Sequence, residues 1–194
     1  MAKSDPSSSK KEKLKNIKWV ITIFLVTIVV SGTFSMGSDA LMSVSGIAMA
    51  FVILLFIIML GILFDIIGVA VTSADEKPFH SMAARKVPGA QEAISLLRKA
   101  DRVGSVCNDV IGDICGVVSG SASATITTLV ILNSQSANPQ AVSLLMSALV
   151  AGLTVGGKAL GKGYAIRSCT AIVHTAGRVI YGFKRLPRLL CKKK

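Results

Sequence analysis

Acidic charge is scarce in this chain. Its 194 residues hold 10 Asp and Glu against 22 Lys and Arg, and the four types together make up 16% of the sequence, where soluble domains average about 25%. Histidine occurs only at His80 and His174, each alone in a segment that reads as solvated surface. The four cysteines, Cys107, Cys115, Cys169 and Cys191, have no paired spacing and fall in segments that read as membrane or cytoplasmic. Neither a disulfide framework nor a zinc site is indicated. No nucleophile stands beside a base, so covalent catalysis is not expected and the chain does not read as an enzyme. GLTVGGKA, Gly152 to Ala159, has the glycine and lysine spacing of a phosphate loop. It ends in Ala where Ser or Thr must hold magnesium, and it follows an apolar helix instead of a strand. The terminal CKKK lacks the aliphatic residues of a prenylation signal.

What the chain does have is apolar residues, 52% of the total, gathered into runs. Four runs stand out, 19–35, 47–71, 103–132 and 142–160, and each can cross a hydrocarbon core that takes roughly 20 helical residues. The second is the clearest, with no charged side chain from Ile47 to Phe64. The first also fits a signal peptide, with a basic leader and small residues at its end. Directly followed by another span, it reads better as an anchor.

Basic residues are retained on the cytoplasmic side, and here they form three groups: six in Lys3–Lys18, six in Lys77–Arg102 and ten in Lys158–Lys194. The connections around GSDALMSVSG and NSQSANPQA hold none. Both termini and the central connector are therefore expected in the cytoplasm of a multi-pass plasma-membrane protein. Attraction to anionic headgroups and the bilayer accounts for the net charge of +12, and nucleic acid is not needed as a partner.

The leader 1–18 reads as a disordered basic tail. The connector 72–102 reads as one or two short helices on the membrane surface. Gly156, Gly157, Gly161 and Gly163 are expected to end the last span. Beyond them 161–194 holds a basic tail and an interfacial amphipathic helix with a stripe of Ile166, Cys169, Ile172, Val173, Ala176, Val179, Ile180 and Phe183. Gly112, Gly116, Gly120 and Ala124 recur every four residues in the third span, and Ala148, Gly152 and Gly156 in the fourth. Such ridges let helices approach closely in lipid, and the two spans are expected to pack through them.

Three acids lie within the spans: Asp65, Asp109 and Asp113. An ionised group at the centre of a bilayer costs roughly 2.5–3.5 kcal/mol or more and usually marks an ion or proton path. Counted from Ser73 and Arg102, Asp65 lies roughly 12 Å deep, Asp109 roughly 10 Å and Asp113 roughly 16 Å. Oxygen ligands of this kind suit a hard divalent cation such as Mg²⁺, and Asn108, Ser105 and Thr154 supply neutral oxygens nearby. A hydrated interfacial position is the plainer reading of Asp109.

The stretch from Phe64 to Ile126 also resembles a known family. Phe64, Ala70, Thr72 and Ser73, then Asp101 and Arg102, then Ile111 and Gly112 look like three patterns, F-S-G-x-E-T-A-L-T-S, P-D-R and I-G-N, of the membrane domain of cyclin M and CorB/CorC type magnesium transporters. The resemblance implies Mg²⁺ transport and a homodimer. It has departures: the family's metal-binding serine is Asp65, the asparagine of I-G-N is Asp113, and in G-E-x-x-P-K only Lys158 agrees while Thr154 replaces the glutamate. The family's regulatory nucleotide-binding domains have no counterpart in these residues, and the first span lies outside its pattern. The expectation is an all-α membrane protein of four spans. Its leading function is divalent-cation transport or binding through Asp65, Asp113, Asp109, Asn108 and Thr154, with no cofactor. A non-transporting scaffold or accessory subunit, or a proton-coupled carrier, are the alternatives.

Overall fold

The computed structural model describes residues 6–44, 46–133 and 138–191, with side chains described over 17–38, 40–41, 46–133 and 138–185. Among them there is no strand, and the protein is all-α. Helices α1 (Pro6–Val44) and α2 (Ile47–Ser73) form a hairpin. Short helices α3 (Lys77–Ala84), α4 (Ala90–Leu97) and α5 (Ala100–Ser105) make the connector. A π-helical segment, Val106–Gly112, then runs into α6 (Asp113–Asn133), followed by α7 (Pro139–Arg167) and α8 (Cys169–Cys191). Among the described residues, four stretches are long and apolar enough to cross a membrane: Ile17–Ser38, Ile47–Ser73, Ala100–Asn133 and Pro139–Arg167.

Helix α2 is the central post, because one face of it or another meets nearly every other element. At the end near the α6–α7 connection, Ala50, Leu54 and Ile58 pack with Ala122 and Ile126 of α6 and Met146 and Val150 of α7. Mid-height, Ile57 packs with Val110, Ile114, Cys115 and Val118, and Ile23 of α1 joins them. At the connector end, Ala70 and Val71 pack with Phe79, Ala93, Leu97, Ala165 and Val173. This last cluster binds α3, α4 and α8 to the bundle and sets the connector beneath α2. Helix α1 is held more lightly: Val20, Phe24, Val29 and most of its other apolar side chains face outward, as a lipid-facing helix requires.

Local chemistry fixes the turns. Asn138 caps α7 by accepting from the Gln140 N–H at 3.1 Å, and Pro139 occupies the first turn, where a missing donor costs nothing. Gly89, with φ +87°, starts α4, and a Cβ there would strike the Arg178 backbone of α8. Only glycine meets both demands. Helix α6 tolerates its run of Ser and Thr because Ser119, Ser121, Thr125, Thr127 and Thr128 each donate to a carbonyl three or four residues back. Their hydroxyl protons are satisfied within the helix.

Three expectations about these segments are corrected. The leader, expected to be disordered, is helical from Pro6 onward. Gly156 to Gly163 do not end the last span, since α7 continues through them to Arg167 and breaks at Ser168; a helix supported by neighbours carries glycine at a cost of about 1 kcal/mol each. The glycine ridges do not join α6 to α7. Gly116, Gly120, Gly152 and Gly156 have open space where a Cβ would stand, and Ala124 and Ala148 are exposed. The close approaches use Gly157 and Gly161, where a Cβ would run into Ile62 and Ile66 of α2. Only Gly112 of the α6 ridge is turned inward.

Candidate functional site

The depth of the ionisable residues follows from helix length. Counted from Ile47, Asp65 is about 27 Å along α2; counted back from Asn133, Asp113 is about 30 Å along α6; counted from Pro139, Lys158 is about 28 Å along α7. These distances match a hydrocarbon core of about 30 Å. All three groups therefore stand at a similar height near the connector end of the bundle, about one core thickness from the opposite ends of their helices. The 34 residues of Ala100–Asn133 exceed the core by about 20 Å, and Asp109 stands one turn closer to the connector than Asp113.

The side chains in this layer face different ways. On α2, Gly61, Gly68 and Thr72 meet the π segment, α5 and α6, whereas Ile62 and Ile66 meet α7. Asp65 lies on the arc between those two faces and is half-buried at the junction of the three helices. Lys158 enters the same junction from α7, its Nζ 3.5 Å from where a Cβ of Gly112 would stand. Thr154 lies one turn above it, half-buried, with its Oγ1 donating to the Val150 carbonyl at 2.8 Å.

Asn108 belongs to the π turn. There each N–H reaches five residues back, and the wider turn pushes the side chain onto α2. Its Oδ1 packs against the backbone of Gly68, is buried, and accepts no hydrogen bond. An unpaired buried acceptor costs roughly 1–3 kcal/mol, so something has to offset it. Asp109 and Asp113 point the other way. Both are exposed on the outer face of the π segment and α6, in line with Val117, Gly120 and Ala124.

The structure thus sets Asn108 on α2 one turn from Asp65 and leaves Asp109 and Asp113 on the outside. Thr154 does not join them, because the pairing of Gly157 and Gly161 with Ile62 and Ile66 sets it roughly 13 Å along α2 from the level of Asn108. Among the described residues no three His, Cys, Asp or Glu side chains gather as a metal-binding group. The ion pairs there, Glu76–His80 at 3.4 Å and Glu92–Lys184 at 3.7 Å, lie in the connector and α8. None of the three membrane acids, nor Lys158, takes part in one. A hard cation at the junction would take one carboxylate, neutral oxygens and water.

Two features escaped the sequence. Lys158 entered it as a motif match, although a lysine about 19 residues into an apolar helix marks a polar layer by itself. His174, expected to be solvated, is half-buried with an enclosed Nε2 that has no partner; α8 turns that face onto the bundle. Cys107 and Cys115 are buried free thiols and Cys169 is a half-buried one. No family model, no curated protein and no solved structure matches the chain.

Proposed function

We propose that this is a plasma-membrane protein that binds a divalent cation, Mg²⁺ foremost, and passes or senses it at the cytoplasmic edge of the hydrocarbon core. The observation that carries the reading is the unpaired Oδ1 of Asn108, held by a π turn against the helix that bears Asp65. A carboxylate and a carboxamide oxygen at a wet boundary suit a small hard cation that keeps several of its waters. Asp65 and Asn108 act as the inner ligands, and water completes the shell. Asp113 and Asp109, one turn apart on the outer face, raise the local cation concentration at the entry. Lys158 balances Asp65 when no ion is bound. The resemblance to the cyclin M and CorB/CorC membrane domains supports this reading at Phe64, Ile111, Gly112 and Lys158, with Asp65 standing where that family has its metal-binding serine.

Proteoliposomes loaded with a magnesium-sensitive dye test it. Wild type should admit or bind Mg²⁺ over empty vesicles, and Asp65→Asn should remove most of that signal. Equal signals from the two proteins would refute the proposal.

A second reading is favoured by the outward stripe of Asp109, Asp113, Gly120 and Ala124. Carboxylates at the edge of lipid beside small residues suit a helix–helix contact, as in a homodimer or an accessory subunit that scaffolds another membrane protein. Crosslinking through Gly120→Cys separates the readings, because a scaffold loses its partner on Gly120→Leu while Mg²⁺ binding by the junction persists.

A further inference from the structure

A groove lies under α8, and the cation reading makes no use of it. It holds about 700 Å³ and runs between Phe64 and Ile67 of α2, Val103 of α5, Leu96 of α4, and Ile172 and Ile180 of α8. We propose that this groove takes an acyl chain of an anionic phospholipid from the cytoplasmic leaflet, with its phosphate held by basic residues of the connector. The proposal does not use the cation site, but rests on the cytoplasmic orientation of the connector given in the proposed function.

Depth is the first argument. Phe64 immediately precedes Asp65, at the edge of the hydrocarbon core, while Leu96 and Val103 belong to the connector beyond it. The groove therefore straddles the plane at which a phospholipid changes from chain to headgroup. Charge is the second. Arg98, Lys99 and Arg102 are exposed and lie in sequence between Leu96 and Val103, which line the groove, with Asp101 the one acid among them. Basic pockets between helices on the cytoplasmic side bind anionic headgroups. The third is the amphipathic character of α8. Val173 and Gly177 are buried against the bundle, while Ala171, Thr175, Val179 and Phe183 stay exposed at four-residue spacing. Such a helix lies in the interface with this stripe toward the acyl chains, so the groove beside it opens to lipid and not to water.

Native mass spectrometry of protein extracted from vesicles of phosphatidylcholine and phosphatidylglycerol in equal amounts tests the proposal. Wild type should retain phosphatidylglycerol in preference to phosphatidylcholine. Lys99→Gln with Arg102→Gln, both exposed and outside the packing, should weaken that preference about fivefold per residue. Ala176→Trp, which fills the groove from α8, should remove bound lipid while the protein still adsorbs to anionic vesicles. Retention of the two lipids in equal proportion by wild type overturns the proposal. So does undiminished phosphatidylglycerol on the charge variant, which does not depend on whether the tryptophan variant folds.

Discussion

The Oδ1 of Asn108 lies against the Cα of Gly68 so closely that no Cβ fits between them. The π turn and α2 are therefore fitted to each other at the level of the candidate site. Gly68→Ala should force Asn108 off its position and cost about 1–3 kcal/mol, as overpacking does. Gly116→Ala, with open space around it, is the control and should stay within about 0.5 kcal/mol of wild type. Thermal unfolding in detergent reads both.

Helix α7 meets α2 through Gly157 and Gly161 and turns Gly152 outward. Gly157→Leu should separate the helices and lower stability by about 1–3 kcal/mol. Gly152→Leu should leave the melting temperature unchanged or raise it slightly, because glycine is a poor helix former. Equal losses from the two would mean that α7 is rotated from the orientation described.

Orientation is read from charge alone, and accessibility tests it. In a chain with its four cysteines replaced, Gln140→Cys near the α6–α7 connection should react with an impermeant maleimide added to intact cells. Gln91→Cys in α4 should react only after the membrane is opened. Labelling of Gln91→Cys from outside would invert the topology.

Much of this architecture was legible in the sequence. The apolar runs gave four spans whose ends fall within several residues of the helices, and the basic clusters marked the connector and the tail. The direction each residue faces was not legible. A helix apolar all round in lipid carries no amphipathic signal, so the i, i+4 spacing of Asp109 and Asp113 showed that they share a face but not that the face is outward. The same spacing made Gly152 and Gly156 look like an interface, when the helix is turned to present Gly157 and Gly161. The π turn at Asn108 left no mark in residue type, because it arises from the fit of that segment onto α2.

Lys158 shares the junction with Asp65, and its ammonium competes with any bound cation. Removing that charge with Lys158→Met should strengthen Mg²⁺ binding about three- to tenfold, the range for a unit charge several ångströms away near a hydrated boundary. Isothermal titration of detergent-solubilised protein measures it. Unchanged or weaker binding would remove Lys158 from the site.

The most direct test of the central claim is melting temperature against Mg²⁺ concentration, with Ca²⁺ and a monovalent salt of equal ionic strength as controls. A ligand that binds only the folded state stabilises it by about 2.7 kcal/mol at a hundredfold excess over its dissociation constant. Wild type should therefore show a Mg²⁺-dependent rise that the monovalent salt does not reproduce. Asp65→Asn keeps size and an oxygen while removing charge, and Asn108→Leu removes the unpaired oxygen; each should lose most of that rise. Asp109→Asn, on the outer face, should keep it. A wild-type protein whose melting temperature responds to Mg²⁺ no more than to monovalent salt, or a rise that survives in Asp65→Asn, would contradict the account.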